Sequence, residues 1–496
     1  MGGRAVGTVA EATARRYETV IGLEVHVELA TRSKMFCACS TAFGAPPNSQ
    51  VCPVCLGLPG ALPVPNRQAL AYALRAALAL ECAVDPDCRW DRKNYHYPDL
   101  PKGYQITQYA RPIARNGQLC FVSGGEERAV RIRRLHAEED TGKSTHEGVA
   151  AAFTGVDLNR AGVPLIEIVS EPDIRSPEEA RLYLQALRTL LLYTGVSDVK
   201  MEEGSLRCDA NISLRPAGAR EYGALVEVKN MNSFRSVQRA LEYEEQRQAA
   251  ALDAGERIVR ETRHWDEKRG ITFSSRSKEE AHDYRYFPEP DLGPCALSPA
   301  FIEEQRRLLP ELPGARQARY RALGLSDYDT GVLVADPALA AFYDRMLEAG
   351  AAPREGAALL TVELLGRLNA LGASVVGSGC LVRPEQLAAL QKLVAAGTIS
   401  GKIAKDVLDD MVASGKDPAA IVAERGLQQI SDAGAVAQAV RAAIAAHPQS
   451  VADYRAGKKQ ALGFLVGQVM KETKGKANPA LVNDVLRQEL DAGGGV

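Results

Sequence analysis

The sequence predicts an α+β fold: an amino-terminal part built on an antiparallel sheet with one open polar face, followed by an all-α helical domain and a small all-α tail domain. Three observations carry this. Up to about residue 291 short β-patterned runs are separated by Gly, Pro and Asn turn signals; three of those runs alternate apolar with polar residues; and beyond residue 299 Ala, Leu, Arg, Gln and Glu dominate with helical periodicity. The 496 residues are 46% hydrophobic and 25% charged, an ordinary globular composition. At roughly 100–200 residues per domain the length predicts two to four domains. With Lys+Arg 60 against Asp+Glu 62, the net charge of −2 excludes a general polyanion binder, so contact with nucleic acid requires a local patch. No apolar run reaches the roughly 18 residues of a membrane span, and no secretory signal pattern opens the chain, so a cytoplasmic protein without a membrane contact is expected. Residues 1–16 are small, polar and aperiodic, and are expected to be a disordered tail outside the fold.

The first strand, 20–29, places Ile21, Leu23, Val25, Val27 and Leu29 on one face and Glu24, His26 and Glu28 on the other. A solvated face and a cation- or phosphate-binding face both fit that pattern. Next come Cys37 and Cys39, then Cys52 and Cys55, two pairs separated by twelve residues. Four thiolates at about 2.3 Å around tetrahedral zinc would staple a Pro- and Asn-containing loop that cannot build a core of its own. The set leaves no open coordination position, so the expected zinc is structural. In a reducing compartment the other six cysteines are expected to be buried or incidental thiols.

The stretch 135–144 gathers Glu138, Glu139, Asp140 and Lys143. Gly142-Lys143-Ser144 ends like a phosphate-binding loop, but the glycine that such a loop needs five positions earlier is Ala137, which rules it out. What remains is an acid cluster suited to Mg²⁺. Glu167 sits among Leu165, Ile166, Ile168 and Val169, where a carboxylate is costly to bury unless paired or bound to a metal. A helix at 178–192 is expected to cover the apolar faces. The strand 208–214 then alternates Cys208, Ala210, Ile212 and Leu214 with Asp209, Asn211 and Ser213, and 225–229 alternates Val226 and Val228 with Glu227 and Lys229. Pro288, Pro290, Pro294 and Pro299 mark a linker, and a helical pattern stops and restarts at 413–418.

Four runs carry a family resemblance: Val20-Ile21-Gly22-Leu23-Glu24-Val25-His26-Val27-Glu28-Leu29, Asp91-Arg92-Lys93-Asn94-Tyr95-His96-Tyr97-Pro98-Asp99, Pro164-Leu165-Ile166-Glu167-Ile168-Val169-Ser170-Glu171-Pro172-Asp173 and Asp283-Tyr284-Arg285-Tyr286-Phe287-Pro288-Glu289-Pro290-Asp291. Together with Lys200-Met201-Glu202-Glu203-Gly204, Val228-Lys229-Asn230-Met231-Asn232 and Gly463-Phe464-Leu465-Val466-Gly467, they resemble the GatB family, the B subunit of the heterotrimeric tRNA-dependent amidotransferase, from about Tyr17 to the carboxyl terminus. After the tail at 1–16, which falls outside it, the resemblance implies a kinase-like cradle domain over 17–296, a helical domain over 297–414 and a small tRNA-binding tail domain over 415–496. It also implies a cytoplasmic ligase that activates the side-chain carboxylate of Glu-tRNA(Gln) or Asp-tRNA(Asn) with ATP and Mg²⁺. Glutamine-derived ammonia, channelled from an amidase (A) subunit, would then amidate it, with a small belt (C) subunit holding the two large ones.

By the same resemblance Glu24, His26, Glu138 and Glu167 match Mg²⁺-binding positions, Glu139 the end of the ammonia channel and Lys102 its lining. A Lys–Glu structural pair is the alternative for those last two. Asp209, Asn211, Glu227, Lys229 and Arg285 fall in family motifs as contacts to ATP, metal or the acyl end. Between Tyr454 and Ala477, Arg455, Lys458, Lys459, Lys471, Lys474 and Lys476, against Glu472 alone, suit phosphate contacts to folded RNA as well as they suit a solvated helix face. Two other readings of the chain are an RNA-binding scaffold with an inert acidic face and a free-standing carboxylate–amine ligase that needs no amidase partner.

Overall fold

The computed structural model describes residues 16–145, 153–277, 283–375, 379–429, 433–458, 460–473 and 476–492. All but Arg16 of the expected amino-terminal tail, and Lys459 and Lys474 of the basic tail patch, lie outside these residues. The chain divides into two compact units, Met1–Gly314 and Ala315–Val496.

The strands of the first unit are β1 (Tyr17–Glu28), β2 (Ala83–Val84), β3 (Asp87–Cys88), β4 (Asp91–Asn94), β5 (Tyr104–Thr107), β6 (Ala114–Ser123), β7 (Glu126–Glu139), β8 (Lys143–Thr145), β9 (Gly155–Asp157), β10 (Pro164–Ser170), β11 (Leu206–Pro216), β12 (Val226–Lys229), β13 (Glu261–Asp266), β14 (Ile271–Ser277), β15 (Phe287–Pro288) and β16 (Cys295–Ala296). Nine of them form one sheet in the order β14-β13-β12-β11-β1-β10-β7-β6-β2. Its pairs are antiparallel except β12 with β13, so the expected antiparallel sheet is a mixed one. The exception follows from connectivity: the twenty-residue helix between β12 and β13 crosses over the sheet, which returns the chain in the same direction.

β1 lies at the centre, and the alternation expected for it is realised. Ile21, Leu23, Val25 and Val27 are buried, while Glu24, His26 and Glu28 on the opposite face are partly open. The apolar face is covered by α1 (Arg67–Ala79), α2 (Pro177–Thr194) and α3 (Phe234–Asp253), whose Leu74, Leu184, Leu187 and Leu241 join one continuous core with the strands. Each helix starts where its sequence says it should. Asn66 accepts from two backbone amides, Ser176 precedes Pro177 and accepts from Glu179 N–H, and Ser233 accepts from Ser236 N–H. A fourth helix, α4 (Pro299–Arg307), belongs to this unit, with Leu297, Phe301 and Ile302 against its core. With the helices all on one side, the other face of the sheet is left to β4, β5 and the segment 284–288, which fold over it.

The second unit is helical throughout its described residues. Leu333, Tyr343, Met346, Leu360, Leu364, Leu387 and Leu390 are all buried, the Tyr320 and Tyr343 rings meet edge to face, and the Tyr320 hydroxyl donates to Asp344 at 2.9 Å. The helix Gly401–Ser414 stops at Gly415 and a new one, Pro418–Glu424, follows the proline. The final helices, Ala433–Ala446, Pro448–Arg455, Gln460–Glu472 and Pro479–Ala492, close an apolar cluster of their own around Val440, Leu465, Val469, Val482 and Leu486. Arg455, Lys458 and Lys471 of the expected basic patch are exposed on it, and Lys476 is half-buried.

Candidate functional site: an acid–imidazole row under a tyrosine and cation wall

Strand register assembles the site. Within the sheet His26 on β1 lies opposite Glu167 on β10, which in turn lies opposite His136 on β7. Two residues along, on the same face, stand Glu24 and Glu138. Glu24 is in turn opposite Asp209 on β11, and beside that pair Asn211 faces Glu227 on β12. Directly opposed side chains of neighbouring strands lie about 5 Å apart at the β-carbon, so this register alone gathers carboxylates from three strands around two imidazoles.

The distances confirm the convergence. His26 Nε2 lies 3.3 Å from Glu167 Oε2, 3.6 Å from Glu24 Oε1 and 4.0 Å from Glu138 Oε1. His136 Nε2 lies 3.5 Å from both Glu138 Oε2 and Glu167 Oε2. These are long for charge-assisted hydrogen bonds, and Glu138 Oε2, though buried, has no hydrogen-bond partner. Ligand atoms gathered at 3.3–4.0 Å from one another suit a bound cation, for which ligand bonds of about 2.0–2.2 Å place neighbouring ligand atoms roughly 3 Å apart. Glu24, His26 and Glu167 form one such group of three and His136, Glu138 and Glu167 another.

A cavity of about 750 Å³ opens over this row. Its other wall is basic and aromatic: Lys93 and Tyr95 from β4 and its continuation, Tyr109, and Tyr284 and Tyr286 from the returning segment. The Tyr109 and Tyr286 rings are stacked, 3.9 Å between centroids and 8° apart, with Arg134 over Tyr109 and Lys93 over Tyr284. At one end Lys229 bridges Asp209 at 2.5 Å and Glu227 at 3.1 Å; at the other Arg207 donates to Asp140 at 2.5 Å.

This crowding sets the titration of the groups. Burial pulls the His26 ring down, but hydrogen bonding to Glu167 and the charges of Glu167, Glu24 and Glu138 outweigh it and raise the ring to about 9. Burial and the neighbouring Glu167 raise Glu24 to about 7. Burial would also raise Glu167, yet the imidazoles of His136 and His26 and the charge of Lys93 hold it below the ordinary carboxylate range. Glu138 is likewise lowered against its burial by His136 and Lys93. Lys93 itself, burial notwithstanding, is raised by Glu138, Tyr286 and Glu167. Beside the cavity, burial and Asp140 raise Glu28 to about 8.

The expected site residues thus fall into three groups. Glu24, His26, Glu138, Glu167, Asp209, Glu227 and Lys229 all line the cavity. Asn211 and Arg285 are not among the lining residues; Arg285 is exposed, and its carbonyl accepts from Asn94 Nδ2 at 2.8 Å. Lys102 and Glu139 form a buried ion pair on the far side of β7's end, where Glu139 also accepts from Ile106 N–H at 2.9 Å. Lys93, Tyr95, His136 and Arg207 had no role assigned from the sequence, whereas Asp140, read there in the acid cluster, lines the cavity paired with Arg207. For His136 a signal existed: it stands two residues before Glu138 on one strand, so both must share a face while Glu139 takes the other. Lys93 and the tyrosines had none, since a four-residue strand and a returning loop bring them over the sheet.

Away from the cavity, Cys37, Cys39, Cys52 and Cys55 bring their four sulfurs within 4.8 Å of one another. The Cys52 and Cys55 sulfurs are 3.9 Å apart, close to the roughly 3.8 Å edge of a tetrahedron with 2.3 Å zinc–sulfur bonds. Cys55 is lowered to about 4 by hydrogen bonding from Cys37 and by Lys34, whose ammonium lies 3.6 Å from its sulfur, which leaves a thiolate ready to bind metal.

Residues 19–303 match the family described as the GatB/GatE catalytic domain, and residues 341–490 match the GatB domain. Among curated proteins, the chain is 56% identical over 479 residues to the B subunit of an aspartyl/glutamyl-tRNA(Asn/Gln) amidotransferase from Carboxydothermus hydrogenoformans, spanning 96% of this chain and 99% of that protein. A protein of the same name from Moorella thermoacetica is 56% identical over 476 residues, 96% of this chain and all of that protein. Another, from Anaeromyxobacter sp., is 54% identical over 96% of this chain and 99% of its own length. None of the helices among the described residues is long and apolar enough to cross a membrane.

Proposed function

This chain belongs to the GatB family, and from that premise we propose that its cavity is where an aminoacyl-tRNA side-chain carboxylate is activated and amidated. The chain is the B subunit of a glutamine-hydrolysing, tRNA-dependent amidotransferase, a ligase of protein biosynthesis acting on Asp-tRNA(Asn) and Glu-tRNA(Gln). The observation that carries the finer reading is the convergence of Glu24 and His26 on Glu167, and of His136 and Glu138 on the same Glu167, with Glu138 Oε2 unpartnered. Glu24, His26, Glu138 and Glu167 would hold Mg²⁺, which supplies neutralisation of the phosphate charge that develops in phosphoryl transfer from ATP.

The chain's own residues do the rest. Lys93, over the Tyr284 ring and kept protonated by the charges of Glu138 and Glu167, presents a permanent cation to phosphate oxygens in the cavity. Lys229, held by Asp209 and Glu227, presents a second one on the opposite side, so that nucleotide and carboxylate are aligned between them. Asn211 and Arg285, in the flanking motifs, would make supporting contacts. In activation a carboxylate oxygen displaces ADP from the γ-phosphorus of ATP to give an acyl phosphate; ammonia then attacks the acyl carbon and expels phosphate, which carries that oxygen away. Glu139, paired with Lys102, would take a proton from arriving ammonium, since only neutral ammonia has a lone pair to attack.

Ammonia is supplied by an amidase subunit, with a small belt subunit joining the two, in a cytoplasmic complex. The four cysteines hold a structural zinc. Within the chain, 17–296 acts as the cradle, 297–414 as a helical spacer, and 415–496 grips tRNA phosphates through Arg455, Lys458 and Lys471. Co-expression with amidase and belt subunits, followed by conversion of Glu-tRNA(Gln) and Asp-tRNA(Asn) with and without ATP, tests the reading. Wild type should amidate only with ATP, and Glu167→Ala should abolish product while leaving tRNA binding within about twofold. A complex that binds tRNA yet makes neither product overturns it.

A further inference from the structure

We propose that the cysteine knuckle is a positioning device: zinc held by its four thiolates fixes the Lys102–Glu139 pair in place through Gly57 and Gly162. The inference rests on the zinc reading above and on the contacts that join the knuckle to the pair. Gly57, two residues after Cys55, has φ +67, and a β-carbon there would fall 2.6 Å from Lys102 Cγ and 3.0 Å from Lys102 Cα. The knuckle backbone is therefore a wall against which the Lys102 side chain lies. That wall is set by the Cys52–Cys55 turn itself, in which Leu56 N–H donates to Cys52 O at 3.0 Å and Gly57 N–H to Val54 O at 3.1 Å.

Gly162, with φ +87, is the shared neighbour on the acid's side. A β-carbon there would lie 3.4 Å from Lys34 Cδ, 3.6 Å from Cys55 Cβ and 3.8 Å from Glu139 Oε2. Lys34 ties the two together: it is fully buried, its ammonium lies 3.6 Å from Cys55 Sγ and 3.2 Å from Leu158 O, and its N–H donates to Cys39 O at 3.0 Å. A four-thiolate zinc centre carries net negative charge, and Lys34 is the buried cation that offsets it. Met35 N–H donates to Gly162 O at 2.7 Å, and the ring of Phe36, the residue before Cys37, faces the Lys102 ammonium at 5.9 Å. One packed path thus runs from the sulfurs to both members of the pair. The loop carries no regular secondary structure over the two cysteine pairs, so the metal is what would hold that path rigid.

Zinc and these glycines are positioning elements, since none of them faces the cavity. The test is amine-selective acetylation of the full-length protein in its complex, with the Lys102 rate read by peptide mass spectrometry and Lys93 and Lys229 as internal references. Zinc-loaded protein should protect Lys102, whose side chain is 9% exposed. Releasing zinc with a mercurial and chelator should raise its labelling several-fold while the references hold. Gly57→Ala should retain zinc by metal analysis and still raise Lys102 labelling; Gly162→Ala serves should Gly57→Ala fail to fold. Lys102 labelling that is unchanged in both the zinc-free protein and the variant overturns the proposal, as does a purified protein without zinc that protects Lys102 fully. Labelling reports position alone. Altered labelling with an unchanged ratio of glutamine-driven to ammonium-driven amidation would therefore support the coupling while removing the ammonia-transfer role of the pair.

Discussion

Loading the acid–imidazole row with a divalent cation should release a proton, and the structure sets how many at each pH. A metal needs the lone pair on His26 Nε2. In the metal-free site that ring, raised to about 9 by Glu167, Glu24 and Glu138 against its burial, is protonated at neutral pH. Below about pH 9 each cation bound must therefore displace one proton, so apparent affinity falls about tenfold, or 1.4 kcal/mol, per unit of pH lowered. From pH 9 to 7 the loss is about a hundredfold. Below pH 7, where Glu24 also takes up a proton, the slope should steepen toward two protons per cation. Above about 9 it should flatten. Calorimetry of Mn²⁺ binding in two buffers of different ionisation enthalpy measures both the affinity and the proton count. Glu167→Gln removes the largest influence that raises the ring, so the slope between pH 7 and 9 should disappear. A wild-type affinity that does not change between pH 7 and 9, with no proton released, would refute the assignment of His26 as a ligand.

Three further outcomes follow from the same geometry. Lys93→Met removes a positive charge that helps hold Glu138 and Glu167 low; the melting temperature should drop, and millimolar Mg²⁺ should restore more of it than it adds to wild type. Ile21→Ala, at a fully buried position of the central strand, should cost about 2–5 kcal/mol by urea denaturation without changing the zinc content. Lys471→Glu, an exposed change on the last helical cluster, should weaken tRNA binding uniformly across tRNA species and shallow its salt dependence, as read by filter binding at several salt concentrations, while the melting temperature stays within about a degree.

Much of the site was legible because β alternation is a strong local signal. Once 20–29 reads as a strand, Glu24 and His26 must share a face, and the burial of Ile21 to Val27 on the other face follows. Glu167 stood out because a lone acid in an apolar run has to be compensated, and His26 and His136 compensate it. The cysteine spacing was equally local. What the residues did not disclose was non-local. The pairing of β1 with β10 and of β10 with β7, which aligns His26, Glu167 and His136, brings together strands that lie far apart in the chain. The parallel pairing of β12 with β13 depends on a crossover helix, and the tyrosine wall depends on residues 284–286 returning over β4, two segments whose own patterns are short and irregular. The family resemblance supplied the metal roles ahead of that geometry, whereas Lys93 and the Gly57–Lys102 contact emerged only from the packing.

The most direct test of carboxylate activation in this cavity follows oxygen. Glu-tRNA(Gln) labelled with ¹⁸O in the side-chain carboxylate, turned over by the reconstituted complex with ATP, should transfer one ¹⁸O to each phosphate released, detected by the isotope shift in ³¹P NMR, and Glu167→Ala should release none. Phosphate that carries no ¹⁸O while Gln-tRNA(Gln) accumulates would contradict phosphoryl activation at this site.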